Sequence, residues 1–295
     1  MDSFRRGFEF LKQSWQMAFK DRDLIKPSIY ALFAGIGVTI IFSIPMVASF
    51  ALFGDSGIGR SVGYFFGALL IFAQYAVSYL FSAMTIYLIF GFLAEGDGRM
   101  DRAWEMVKRD WLDILSLAGA STLVNLVRSF VRGKGKSGAR NALASLIDTV
   151  WTEATYLVLP AMVIDDLNLK DGLRRATQIV KDHLLLVGVS TIGVRAVTGL
   201  IGFFIGGTGI ALGVGVSLGL IGVSGQATWG FISGISLGIL IAAVFILVSV
   251  VITSYTATAY HTCLYLWARD VERARNAGDE ATRVQAPAPL AAVLN

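Results

Sequence analysis

Three stretches without a charged residue restrict this chain more than any motif in it. No Asp, Glu, Lys or Arg occurs between Lys26 and Asp55, between Arg60 and Glu95, or between Arg195 and His261. Each stretch exceeds the ~20 residues that a helix needs to cross a hydrocarbon core. The alternating ~10-residue segments of a transmembrane barrel are absent. Composition points the same way: 16% of the residues are charged and 55% hydrophobic, against about 25% charged in a soluble domain. The expected fold is all-α: a polytopic transmembrane helical bundle of about six spans in three hairpins, forming a single integral membrane domain over residues 1–275.

The hairpins are expected near 29–53 and 62–92, 112–129 and 142–164, and 184–205 and 231–260. A short charged segment precedes each. With Arg6, Arg102 and Arg175 in register, RGFEFLKQSW, RAWEMVKRDW and RATQIVKDHL align, and the Lys six positions on recurs as Lys12, Lys108 and Lys181. Apolar positions recur too, as Phe4, Phe8, Leu11 and Trp15, then Met100, Trp104, Val107 and Trp111, then Leu173, Thr177, Val180 and Leu184, with Thr177 the polar exception. Steps of four, three and four put each set on one narrow helical stripe. Such a helix lies in the membrane interface, with Trp15, Trp104 and Trp111 in the acyl boundary and the lysines at the phosphates. The pseudo-repeats run over about 4–94, 100–164 and 173–268.

Pro45 is expected to kink the first span. The glycine-studded segment 206–225 is either re-entrant or a short extra span, because glycine weakens a free-standing helix. Gly230, Gly234 and Gly238 recur every four residues on the last span, as a face for close helix packing. Residues 276–295 read as a disordered C-terminal tail. Lys and Arg gather before the hairpins and in the tail, whereas the loops at 54–60 and 206–230 hold Arg60 alone. By the positive-inside rule both termini are cytoplasmic. The basic loop at 128–140 is the exception, and it leaves open whether the second hairpin spans or re-enters.

Motifs for chemistry are few. GKGKSG at 133–138 matches a glycine-rich phosphate loop only by letter, since Phe130 stands where the Walker pattern needs glycine and no strand precedes it. His183 and His261 lack metal-ligand spacing, and Cys263 is the single cysteine, so no metal, cofactor or disulfide is expected. GDG at 96–98 and DD at 165–166 read as capping and turn residues. No nucleophile–base pair emerges; the chain is read as no enzyme and no nucleic-acid binder. The ionisable residues inside apolar stretches stand out: Arg195, Asp148 and Glu153. Each costs about 2.5–3.5 kcal/mol on insertion scales, so each turns to the bundle interior, a partner or water. They form a candidate buried polar cluster, either a structural ion pair of Arg195 with Asp148 or Glu153, or part of a solute path.

RRGFEFLKQSWQMAFKDRDLIKPS near the start, VWTEATYLVLPAMVIDD at 150–166, LRRATQIVKDH at 173–183 and CLYLWA at 263–268 together resemble an uncharacterised family of prokaryotic six-helix integral membrane proteins, known only as a domain of unknown function. Trp151 to Pro160 is the most specific part. The resemblance implies six helices and a second hairpin that spans; it implies no activity. The function expected is non-enzymatic, organising lipid or binding a membrane partner or a second copy in a prokaryotic cytoplasmic membrane. The alternative is a transporter or channel that uses Arg195 with Asp148 or Glu153.

Overall fold

Every long apolar run becomes helix, since a helix satisfies its own backbone donors and acceptors where no water reaches them. A computed structural model of the chain describes residues 2–54, 56–132, 138–182, 184–223, 228–278 and 284–294. Its helices are α1 (Asp2–Lys20), α2 (Lys26–Phe53), α3 (Gly57–Glu95), α4 (Met100–Arg132), α5 (Gly138–Ile164), α6 (Leu169–Asp182), α7 (Leu184–Val223), α8 (Thr228–Ala277) and α9 (Ala288–Leu294), with no strand among the described residues. Six of them, α2, α3, α4, α5, α7 and α8, are long and apolar enough to cross a membrane. α2 packs on α3, α4 on α5, and α7 on α8.

Local chemistry sets the boundaries. Ser56 caps α3 by accepting from the Gly59 N–H, at 3.1 Å. Gly96 ends the same helix at φ +80°, a conformation that other side chains resist, and its N–H returns to the Phe92 carbonyl. Asn168 caps α6, accepting from the Asp171 N–H at 3.0 Å and donating to the Asp171 carboxylate at 2.9 Å. The Asp21 carboxylate accepts both from the Asp23 N–H and, at 2.7 Å, from the Gly98 N–H, which pins the α1–α2 junction to the α3–α4 junction.

The molecule has two zones. In the first, apolar side chains face outward: only 6% of the most apolar stretch of α2, and 11% of those of α7 and α8, is buried. Ile40, Ile44 and Leu52 on α2, Phe203 and Phe204 on α7, and Ile239 and Leu240 on α8 are exposed. A surface this apolar is tolerable in lipid and an aggregation hazard in water. The second zone holds the core, at the end of the bundle where α1, α6 and α9 pack. Phe10 of α1, Leu88 of α3, Leu117 of α4, Leu157 of α5, Ile179 of α6 and Leu264 of α8 are buried there. The 50 residues of α8 extend about 75 Å, far beyond a ~30 Å hydrocarbon core, so its C-terminal half belongs to this second zone. Phe10 packs edge-on against Tyr260, Tyr255 donates to the Ser14 carbonyl at 3.1 Å, and the Trp15 indole donates to Thr256 at 3.2 Å. Both terminal helices thus lie at one end of the bundle.

Two expectations are corrected here. Residues 206–223 are neither re-entrant nor an extra span, and 224–225 lie outside the described residues. The expected span 184–205 and the segment after it belong to one helix, α7, unbroken from Leu184 to Val223, in which Ala196–Gly222 is long and apolar enough to cross a membrane. Glycine weakens an isolated helix, but α8 lies close enough to use two of the missing side chains: a Cβ on Gly209 would sit 2.2 Å from Phe245 Cβ, and one on Gly213 would sit 2.4 Å from the Gly238 carbonyl. Second, α8 carries residue 276 within its last turn, and the tail beyond is not wholly disordered. α9 packs on α1 and α8, and Leu290 is fully buried. A five-letter apolar run after two prolines is too short to register against the polar residues before it.

The charged segments bury a face the sequence stripe did not name. Counting from the aligned Arg, the buried positions are one and four residues on: Gly7 and Phe10, Ala103 and Met106, Ala176 and Ile179. This face is the expected stripe moved back by one residue, about 100° around the helix. Part of the stripe stays open, with Phe8 at 50%, Trp104 at 41% and Trp111 at 48% exposure, while Val107 is buried and Trp15, Met100, Leu173 and Val180 pack against the core. Lys12, Lys108 and Lys181 are exposed. α1 and α4 therefore each have one face for protein and open aromatics beside it, Phe8 on α1 and Trp104 and Trp111 on α4, whereas Trp15, expected in the acyl boundary, packs against Tyr255 and Thr256 of α8.

Candidate functional site: a polar chamber inside the bundle

α3 carries a stripe of hydroxyls inside its charge-free run. Tyr75, Ser78, Tyr79 and Ser82 recur at helical spacing, so they share one face. That face looks into a cavity of about 200 Å³ enclosed by α3, α4, α5 and α8. α4 contributes Ser121, Asn125 and Arg128; α5 contributes Trp151, Thr152, Thr155 and Tyr156, with Leu159 and Pro160 beyond them; α8 contributes Thr258 and His261. Trp151 to Pro160 is the stretch on which the resemblance leaned most.

Polar groups at this depth persist only if they are hydrogen-bonded. Ser121 Oγ is the hub: it lies 2.7 Å from Tyr79 Oη and accepts from the Trp151 indole N–H at 2.9 Å. Asn125 Nδ2 donates to Tyr75 Oη at 3.3 Å, and the Tyr75 and Tyr79 rings stack 5.8 Å apart. Thr155 and Thr258 turn their hydroxyls onto carbonyls of their own helices. His261 is buried; it stacks on Tyr156 with ring centroids 4.2 Å apart and nearly parallel planes. Its Nδ1 lies 2.7 Å from the Ala257 carbonyl, an acceptor only, so Nδ1 donates that bond. Pro160 removes one N–H from the ladder of α5 at the chamber wall. The lining is thus rich in hydroxyl, amide, indole and guanidinium donors, which suits a ligand with many acceptor oxygens.

The charged residues singled out by the sequence do not assemble into a visible site. The side chains of Arg195 and Asp148 lie outside the described residues, as do His183 and most of GKGKSG. Position 148 falls one turn before Thr152 on α5. Glu153 is half-buried on α5 and does not line the chamber. Among the described residues no group of His, Cys, Asp or Glu is placed to hold a metal ion. On the helix-packing face, Gly234 and Gly238 lie against α7: a Cβ on Gly234 would meet the Ser217 carbonyl at 3.0 Å, and one on Gly238 the Ser217 hydroxyl at 1.9 Å. Gly230 lies outside the residues whose surroundings are described.

A second polar cluster sits under the chamber, at the core end. Asp165, expected only as a turn residue, accepts a hydrogen bond from Tyr265 and an ion pair from Arg269 Nη1 at 3.3 Å. The Arg269 guanidinium lies over the Phe90 ring, 5.5 Å from its centroid. Arg175, the aligned Arg of the third segment, pairs with Glu272. Asp166 supplies the turn that the sequence expected, with φ at 54°. These contacts bind α3, α5 and α6 to α8, and no spacing signal joins residues a hundred positions apart.

Missing from the sequence reading were the hydroxyl stripe and this cluster. The stripe was findable: serine and tyrosine at helical spacing within an apolar span mark an inward face as well as a charge does. No protein-family model, curated protein or solved structure matches the chain.

Proposed function

We propose that this protein is a non-enzymatic, multi-pass protein of a prokaryotic cytoplasmic membrane that holds an oxygen-rich polar ligand, such as a lipid headgroup, in the chamber between α3, α4, α5 and α8. The chamber itself carries this reading: a donor-lined space of about 200 Å³ enclosed by helices whose outer faces are apolar. A closed helical packing alone has no use for so many hydroxyls in a wall. The six spans are three hairpins, each entered from an amphipathic helix in the interface. Even crossing fits the common end of α1 and α9, and the Lys and Arg distribution makes that end cytoplasmic.

The binding test uses lipid that stays with the purified protein. Thr152→Val and Asn125→Leu keep side-chain size while removing donors from the lining. Native mass spectrometry of the protein in mild detergent should show at least a tenfold fall in retained phospholipid for the double variant, with the thermal midpoint moved by only a few degrees. Equal retention by wild type and variant would sink the reading. Solute passage is the second reading, favoured by the length of the polar wall, which runs from Arg128 at one end to His261 at the other. Liposome flux that the double variant abolishes, without lipid retention in the wild type, would select it.

The interfacial helices have their own test. Trp104 and Trp111 lie on faces that protein leaves uncovered, and aromatic side chains settle at the headgroup level. Lipids brominated near the headgroup should quench single-Trp proteins carrying either residue more strongly than lipids brominated at mid-chain. Efficient quenching of either by aqueous iodide, with none by brominated lipid, would put that helix in water.

A further inference from the structure

A second space lies on the other side of α3. It is a groove of about 410 Å³ between α2, α3 and α8, walled by Ala31, Leu32, Ile36, Ile40, Val77 and Val250. Hydroxyls line it at Ser28, Thr39 and Ser254, and Gln74 reaches into it, donating to the Gly35 carbonyl at 2.8 Å and to Thr39 at 2.7 Å. The helix that forms its outer wall, α2, is the span least buried by protein, so the medium that meets this groove is the hydrocarbon of the bilayer.

The groove and the chamber share a residue. Ser78 lines both, and on α8 the change from one to the other takes a single turn: Ser254 faces the groove, Thr258 faces the chamber, and the Thr258 hydroxyl donates to the Ser254 carbonyl at 3.0 Å. The two spaces therefore meet at the seam between α3 and α8, where the wall is one serine thick. The groove is long and mostly apolar with a polar floor; the chamber is short and donor-rich. Joined, they match an amphiphile.

The geometry points to lateral loading from the bilayer: the ligand is a phospholipid whose phosphoryl headgroup sits in the chamber and whose acyl chain lies in the α2–α3–α8 groove, passing the seam at Ser78. This inference rests on the chamber being a binding site. It adds the tail site, the port and the side from which the ligand comes. A phosphoryl group offers several acceptor oxygens to hydroxyl, amide and guanidinium donors. An acyl chain exchanged from lipid into an apolar groove keeps its surroundings, so the selectivity belongs to the head.

Native mass spectrometry with an added diacyl anionic phospholipid tests this in four proteins, with glycerol 3-phosphate as the free headgroup. Wild type should retain the lipid and hold no comparable amount of glycerol 3-phosphate. Ala31→Phe fills the groove from an open wall, and Ser78→Phe blocks the seam; each should lower lipid retention at least tenfold, as the Thr152→Val, Asn125→Leu double variant does. Because Ser78→Phe risks separating α3 from α8, Ala31→Phe with an unchanged thermal midpoint decides the outcome where that variant fails to fold. Retention lost in the chamber variant but kept in Ala31→Phe overturns lateral loading and leaves the chamber reading standing. Retention kept in the chamber variant but lost in Ala31→Phe means that lipid lies in the groove alone, which overturns both. Glycerol 3-phosphate held as well as the lipid overturns the tail site, and a wild type that retains nothing overturns the reading on which this one rests.

Discussion

Asp165→Ala should lower the stability of the protein by about 3 kcal/mol, towards the lower end of the cost of breaking a buried ion pair. Arg269 is the reason. Its side chain is 11% exposed, and its Nη1 meets Asp165 at 3.3 Å, while the remaining carboxylate, Asp270, stands 3.6 Å from Nε. Without Asp165 the guanidinium stays under the bundle, over Phe90, with one distant counter-charge. The Asp165 side chain retains 22% exposure, which lets water soften the loss and holds the figure near 3 rather than 5 kcal/mol. Tyr265 would also lose the acceptor of its hydroxyl. The neighbouring aspartate is the control. Asp166 pairs with Arg109 at 3.1 Å on the surface, and both side chains are mostly exposed. Asp166→Asn keeps a residue that tolerates its positive φ and should cost less than about 1 kcal/mol. Unfolding in detergent, followed by circular dichroism, compares the two. The double variant Asp165→Ala, Arg269→Leu should recover much of the loss, as expected when a buried ion pair is replaced by apolar groups. Equal costs for Asp165→Ala and Asp166→Asn would mean that the core-end cluster is solvated.

Gly238→Leu should prevent α7 and α8 from packing at all. A Cβ at Gly238 would stand 1.9 Å from the Ser217 hydroxyl and 2.4 Å from the Gly213 carbonyl oxygen. The hydroxyl can rotate away; the carbonyl belongs to the backbone of α7 and cannot. Helices in lipid gain nothing from hiding apolar surface, since the tails are as apolar as leucine, so their association depends on close contact between backbones. Overpacking by a few methylenes costs about 1–3 kcal/mol even where side chains can yield, and here the obstacle is main chain. The expected outcome is a protein that aggregates on extraction or melts well below the wild type. Leu240→Ile is the contrast, because Leu240 is 60% exposed on the lipid side and should be nearly silent. Gly234→Ala falls between, with its nearest neighbour at 3.0 Å. Normal extraction and melting of Gly238→Leu would show that the two helices meet along another face in the membrane.

Much of this protein follows from its sequence alone, and the reason is solvent. Lipid has no hydrogen bonds to offer, so charge-free stretches such as 61–94 have one ready solution, a helix that satisfies its own backbone. The class and the six membrane-length helices need no tertiary information. Helical period likewise marks Trp104 and Trp111 as neighbours on one stripe, and a four-residue glycine repeat marks 234 and 238 as a face for another helix. Tertiary structure decided what depends on who lies opposite. Gly209 and Gly213 look like a weakness until α8 is beside them; then their missing side chains become contact. Leu290 looks like part of a loose tail until α1 covers it. The charged segments bury the face next to their aromatic stripe, because small Gly7, Ala103 and Ala176 let those helices approach the bundle. Asp165, Tyr265 and Arg269 come together only because α5 ends beside α8. The chamber is legible only in part: the hydroxyl stripe of α3 stands in the sequence, but the polar residues of α4, α5 and α8 are ordinary in each helix, and only the packing that sets the four faces around one space turns them into a candidate site.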